Sequence, residues 1–443
     1  MTKVLKFGGT SVGTAERIQN LNAIVQPSDV VVLSAMSGTT NCLVKIGELS
    51  LEKKEAKVEM DELKKKYISE IKSLFVDAKL KQHFLEWLDT EFEDLQNTVI
   101  SDDPNRANLI LAKGESWSTQ LFVAQGQEKG LNYSLYHSPD FIQTLPGEDE
   151  TVDFDFVTDQ FKTFLASRNA DEVSVFQGFI CATAEGDIHN LGRGGSDYTA
   201  AIIGGAIDAE EVQIWTDVDG FCANDPRVVE NPRVLSELSF EEAAELAYFG
   251  AKILHPATIL PCREKGIPVR LKNTLKPNAP GTLIHANATP SGIRAVAAKD
   301  GITGIKISSS RMLLAHGFLQ KIFEVFSRNR TSIDMIATSE VSVSLSIDND
   351  KYLPQILTEL EALGRIEVFG SQSIVSVVGS FGAETVGIAA EITKALSGIP
   401  LGMISYGGSK TNISFLIPET EKVKALVALN ELVPNKEVYN ELV

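Results

Sequence analysis

Over its first ~280 residues the chain alternates short apolar runs with helical patterns, the arrangement of a parallel sheet covered by helices. Strands are predicted at Lys3–Phe7, Val30–Ala35, Asn132–Tyr136, Val173–Ile180, Val212–Thr216 and Val269–Asn273. The charged helical stretch from Leu49 to Leu95 reads as a solvated helical pair or an excursion from the sheet. Ser239 and Glu242 make a capping box, and Gly250 is placed to close that helix. His255-Pro256 opens another helix that ends near Gly266.

At 443 residues the chain exceeds the ~250–300 at which one core stops growing, so two or three domains are expected. The turn-rich segment 277–292, PNAPGTLIHANATPSG, holds few large apolar residues and marks the boundary. Beyond it lies an internal repeat of ~70 residues. One copy starts at Gly304 and the other at Ser373, and each reads strand, glycine-containing loop, amphipathic helix, strand, strand, then helix. Two βαββα copies predict paired ferredoxin-like modules. The expected limits are 1–285 for the first domain and 300–372 and 373–433 for the modules, with 434–443 as a candidate completion of the first module.

A net charge of −18 argues against nucleic acid as the main partner. The apolar runs are far shorter than a membrane span, and the N-terminus runs straight into a strand, which reads as no signal peptide. Cys42, Cys181, Cys222 and Cys262 are scattered without metal spacing, which points to a reducing, cytoplasmic setting and no structural zinc.

Three stretches carry chemistry. In VLKFGGTSVG (4–13), Gly8, Gly9 and Gly13 let backbone N–H groups approach an anion, Thr10 and Ser11 add hydroxyls, and Lys6 adds a point charge suited to phosphate. The lysine precedes the loop, so this is not the usual P-loop. In GRGGSDYTAA (192–201), Ser196 is expected to cap a helix through Tyr198–Gly204 whose N-terminus forms an anion site, with Arg193 as a fork for carboxylate or phosphate. Asp197 reads equally as a dipole complement or a catalytic group. In QIWTDVDGFCANDPRVV (213–229), Asp217 and Asp219 stand where a parallel strand ends, as ligand groups or as turn formers. Glu115, in AKGESWS, is expected just ahead of a helix, with the same two readings.

Taken together, KFGGTSVG, GES (114–116), QGFI (177–180), GRGGSDYTAA, WTDVDGF…NDPR and AKILHPAT resemble the aspartate kinases, and the C-terminal units resemble their paired ACT modules. The resemblance covers nearly the whole length and, with no homoserine dehydrogenase region following, points to the monofunctional form. It implies a three-layer αβα amino-acid-kinase domain with a mostly parallel sheet, followed by two ferredoxin-like ACT modules. It implies ATP-dependent phosphorylation of the β-carboxylate of L-aspartate, the first step toward lysine, threonine and methionine, with Mg²⁺ carried by ATP and no metal site of the protein's own. Lys6 and Asp197 match the family's catalytic positions. Thr40, Glu115, Phe179, Arg193, Ser196 and Asp197 match its aspartate pocket. Lys6, Gly8, Gly9, Ser11, Thr216, Asp217, Cys222, Arg227 and Lys252 match its nucleotide site. Cys222 departs from the pattern, since similar relatives often carry tyrosine there. The β-carboxylate is already an anion at neutral pH, so no general base is required.

By pattern alone the repeat is a dimerisation module. The stretches RMLLAHGFLQ (311–320) and TSIDMIATSEVSVS (331–344) are similar to those of lysine-sensitive aspartate kinases, which implies an amino-acid site. Its expected residues are Asp334 and Glu340 for ammonium groups, Thr338 and Ser339 as hydroxyl donors, Met312, Phe318 and Leu319 along the apolar stem, and Ser332 and Ile333 beside Asp334. The apolar members serve equally as core. L-lysine is the expected inhibitor, and a homodimer or dimer of dimers through the modules is the expected assembly. The alternatives are another amino-acid kinase, of acetylglutamate or glutamate type, and a catalytically silent amino-acid sensor.

Overall fold

A computed structural model describes residues 2–147, 151–192, 194–250, 254–288, 292–313, 316–381 and 385–434. Packing divides the chain into two compact units, 1–221 with 254–286 and 222–253 with 287–443.

In the first unit the strand Lys3–Phe7 lies between Val30–Leu33 and Glu211–Thr216, parallel to both. Val30–Leu33 continues to Val173–Gln177 and that to Tyr133–Tyr136, again parallel. On the other side Glu211–Thr216 pairs in parallel with Val269–Asn273, and Thr282–Ile284 closes against it antiparallel. All four residues of Val30–Leu33 are buried, as expected of a strand covered on both faces. The predicted strand Val173–Ile180 is two strands: it breaks after Gln177, and Ile180–Ala182 pairs instead with Ile188–Asn190. The break falls at Phe179, whose φ of 70° lies outside the extended region.

The charged stretch forms the helices Lys57–Leu74 and Ala78–Ile100. Met60, Leu63, Tyr67, Ile71 and Leu74 line one face, and Phe84, Leu88, Phe92 and Leu95 another, at the three-to-four spacing of one helical stripe. Both stripes enter the core that includes Val31, Leu33 and Trp117, so the pair is solvated on its outer faces only. Trp117 packs between Tyr67 and Phe92, with ring centroids 5.1 Å from each.

In the second unit, Phe240–Phe249 begins at the expected capping box of Ser239 and Glu242. Gly250 ends it in an extended conformation, where a Cβ would meet the Ala298 carbonyl oxygen at 2.9 Å. The repeat builds one six-stranded sheet around two long strands, Gly292–Ser308 and Arg365–Ser380. Thr303–Ser308 pairs with Ser342–Ile347, which pairs with Met335–Thr338. Gln372–Val378 pairs with Asn412–Pro418, which pairs with Met403–Ser405. Each half carries its own core: Phe318, Ile322, Val325 and Ile356 in one, Ile388, Ile392, Leu426 and Leu429 in the other.

Candidate active site

Because the central strands are parallel, the loops after Phe7, Leu33, Gln177 and Thr216 emerge at one end of the sheet. That end carries KFGGTS, SAMSG, QGF and TDVDG, and an open α/β sheet places its ligands there.

Lys6 Nζ lies 2.7 Å from Asp197 Oδ1, with both side chains 11% exposed. The approach is off any hydrogen-bond direction, so Oδ1 is held by charge alone. Asp197 is in the first turn of the helix Gly195–Ala206, which is capped by Gly194 in a left-handed conformation. Ser196 is therefore a first-turn residue and not the cap expected above. In the glycine loop, Ser11 and Val12 donate their amides to the Gly8 carbonyl, while the Gly9 and Thr10 amides have no acceptor among the described residues. The Ser11 hydroxyl is buried between the Trp215 carbonyl and Thr274, so the chain itself already uses it.

Glu115 is not ahead of a helix but inside one, Arg106–Glu128, and only 4% exposed. Gly114 is what lets this helix approach, since a Cβ there would meet Ala35 Cβ at 2.8 Å. Glu115 Oε1 accepts from the Ala35 amide at 3.1 Å, and Oε2 has no partner. Burial pushes this carboxyl up to about 7, against the Ala35 hydrogen bond and the attraction of Lys6, which favour the ionised form. An unpartnered buried carboxylate oxygen at the ligand end of the sheet suits an ammonium group.

Phe179, at φ 70°, donates its amide to Thr199 Oγ1 at 3.0 Å and accepts from the Leu191 amide at 2.8 Å. Gly178 permits this turn: a Cβ there would stand 2.5 Å from Ser196 Oγ and 2.9 Å from the Leu33 carbonyl. A non-glycine residue held in this region is strain that surrounding contacts must over-determine, and such strain concentrates at functional sites. Thr40 is exposed in the first turn of Thr39–Leu51, and its buried neighbour Thr39 meets the Tyr67 hydroxyl at 3.2 Å. Two further ties come from Lys57–Leu74, the helix of Tyr67: Lys66 donates to the Ser37 carbonyl, and Glu70 Oε2 accepts from the Ala15 amide at 2.7 Å.

Thr216 and Asp217 adjoin at the strand end, with Thr216 Oγ1 donating to Asp217 Oδ1 at 3.2 Å. Asp219 is a turn residue, held by Asn273 Nδ2 at 2.5 Å and Lys276 Nζ at 2.7 Å. Those hydrogen bonds keep its carboxyl below the usual range. Lys6, Gly8, Gly9, Ser11, Thr40, Glu115, Phe179, Ser196, Asp197, Thr216 and Asp217 thus belong to one sheet end. Cys222 and Arg227 fall in the second unit, where Arg227 forks onto Asp225 at 2.6 to 3.2 Å. Arg193 and Lys252 lie outside the described residues. Ala35, Gly178 and Thr199 escaped the sequence reading as residues that hold the site. Only the glycine in QGFI gave a signal, because the others act through a backbone amide or a buried hydroxyl.

Among the expected regulatory residues, Phe318 is buried, Met312 and Ile333 pack against the same core, and Leu319 is exposed. Ser332, Thr338 and Glu340 are exposed, and the Ser339 hydroxyl bonds with that of Ser342 at 2.8 Å. Asp334 is the exception, a carboxylate whose side chain is wholly enclosed.

The fold and this sheet-end site define an amino acid kinase: residues 1–273 match the amino acid kinase family, and residues 305–353 and 375–432 match the ACT domain. The chain belongs to that family and, within it, to the aspartokinases. The lysine-sensitive aspartokinase 3 of Escherichia coli is 35% identical over 94% of this chain and 95% of its own, and chloroplastic aspartokinase 1 of Arabidopsis thaliana is 34% identical over 97% and 80%. The structure of E. coli aspartokinase III with aspartate and ADP, in the R-state, matches with a TM-score of 0.83 at 31% identity, covering 97% of this chain and 99% of that one. Its T-state complex with lysine and aspartate matches with 0.81 at 32% identity, covering 98% and 100%. The protein is an aspartate kinase. Among the described residues, no helix is long and apolar enough to cross a membrane.

Proposed function

We propose that the protein transfers the γ-phosphoryl group of ATP to the β-carboxylate of L-aspartate, giving 4-phospho-L-aspartate at the head of lysine, threonine and methionine synthesis, and that L-lysine inhibits it. The observation that carries the reading is the meeting of Lys6, Asp197 and the open oxygen of buried Glu115 at the carboxyl end of the sheet. Lys6 neutralises charge on the phosphoryl group as it moves between two anions, the largest single task in such a transfer. The Gly9 and Thr10 amides receive phosphate oxygens. Glu115 receives the substrate ammonium, Arg193 its α-carboxylate, and Thr40, Phe179 and Ser196 complete the pocket. Asp197 orients Lys6. Thr216, Asp217, Cys222, Arg227 and Lys252 attend the nucleotide. Mg²⁺ arriving with ATP would be held mainly by phosphate oxygens and would screen their charge, since Asp197 Oδ1 is already taken by the Lys6 ammonium.

The limits 1–285, 300–372 and 373–433 are the working divisions of the chain. Its assembly is a homodimer or a dimer of dimers through the ACT modules, whose edge strands need covering, and its setting is the cytoplasm. The reading finds support in the E. coli complexes, one with aspartate and ADP and one with lysine and aspartate. Coupled ATP turnover with aspartate, with and without millimolar lysine, tests it. Aspartate-dependent turnover suppressed by lysine is expected. Turnover indifferent to lysine removes the inhibitor, and none with aspartate removes the reaction.

A further inference from the structure

In the second unit a fully enclosed carboxylate is already occupied by a lysine of the chain itself. Asp334 has no exposed side-chain surface. Its Oδ1 accepts from the Tyr248 hydroxyl and lies 3.3 Å from Lys299 Nζ, while its Oδ2 has no partner. Lys299, on the strand Gly292–Ser308, also reaches Asp348 Oδ2 at 2.7 Å and sits 4.0 Å above the Tyr248 ring. Two carboxylates thus face one ammonium, and the trio keeps an uncompensated negative charge at the buried Oδ2.

We propose that Lys299 is an internal competitor for the effector: its ammonium holds Asp334 while the amino-acid site is empty, and an incoming ligand's ammonium takes Asp334 by shifting Lys299 onto Asp348. This rests on the reading that Asp334 receives the effector. The geometry makes the exchange inexpensive, because the Asp348 contact is the shorter of the two and Lys299 keeps that charge partner when it yields the other. With the ligand's ammonium in place, two carboxylates face two ammonium groups, and the unpartnered oxygen is satisfied. Stripping a buried carboxylate of its ammonium is the costly step, and Asp334 passes from Lys299 to the ligand's ammonium while Asp348 keeps Lys299 throughout. Lys299 therefore sets the effector concentration that the protein answers to, without touching the reacting groups. The arrangement also bears on the helix Phe240–Phe249, since the Tyr248 hydroxyl donates to the same Asp334 oxygen that Lys299 would vacate.

Two substitutions in the full-length protein separate this from ordinary loosening, because they act with opposite signs. Lys299→Met removes the competitor and leaves two carboxylates for the ligand. The half-inhibitory concentration of L-lysine, and its dissociation constant by calorimetry, are expected to fall about fivefold or more. Asp348→Asn takes away the alternative partner, so Lys299 stays on Asp334 and both values are expected to rise by a similar factor. Turnover without lysine stays as in the wild type. Equal values in all three proteins, or a shift of both variants in one direction, overturns the proposal while leaving lysine as the effector. Wild-type protein that fails to bind lysine while Lys299→Met binds it supports the proposal. Lysine binding to none of them overturns the effector reading and this assignment together. Asp348 is 37% exposed, so its variant keeps the test available even if Lys299→Met does not fold.

Discussion

Aspartate binding should draw a proton off Glu115. Burial pushes that carboxyl up to about 7 from an ordinary 4.5. Near pH 7 about half the molecules carry it protonated, and at pH 6 about ten in eleven do. An ammonium ligand binds the ionised form, so apparent aspartate affinity should weaken about tenfold between pH 8 and pH 6, or ~1.4 kcal/mol. The ligand's own carboxylates, near 3.9 for the side chain, do not titrate in that window, and neither does its ammonium. Calorimetric titration of aspartate without nucleotide, in two buffers of different ionisation enthalpy, reads affinity and protons together. About half a proton should leave at pH 7. Glu115→Gln should bind more weakly and flatten the pH profile. A flat profile in the wild type, or one that survives in Glu115→Gln, refutes the reasoning. Stability follows the same linkage. A carboxyl raised in the folded state contributes stability fully below about 4.5 and loses it as pH climbs to about 7, so Glu115→Gln should flatten the pH dependence of unfolding across that interval.

Two further outcomes follow from the site. Lys6→Met should cut turnover by on the order of 10²–10³ with an unchanged circular dichroism spectrum, and near wild-type turnover would remove Lys6 from the chemistry. Gly178→Ala must push its Cβ against Ser196 Oγ and the Leu33 carbonyl, at 2.5 and 2.9 Å in the present geometry. It should raise the aspartate KM at least about tenfold and lower the melting temperature, and a fully folded variant with unchanged KM would show that the QGF turn does not shape the substrate site.

The features legible from the residues alone are local. The strand Val30–Leu33 announces itself because a strand buried on both faces must be apolar, and Val269–Asn273 because its buried and half-buried residues alternate. The helix at Phe240 announces itself because Ser239 and Glu242 satisfy its first amides from within four residues. The placement of Lys6, Asp197 and Asp217 was also legible, since glycine turns after strands bring such groups to one end of the sheet. Other features depend on distant partners, and no local pattern carries them. Glu115 lies buried against the amide of Ala35, eighty residues earlier in the chain, because Gly114 lets its helix dock there. Val173–Ile180 reads as one strand until Phe179 is turned to meet Thr199 and Leu191. The charged helices looked solvated because half of each is, while their apolar stripes found Trp117 and the sheet. Lys299 reads as any surface lysine of a strand, and only the folding of the repeat sets it between Asp334 and Asp348. Backbone preference and periodicity act over a few residues and are written in the sequence. Burial, and the carboxylate chemistry that burial creates at Glu115 and Asp334, exists only once remote segments have excluded water together.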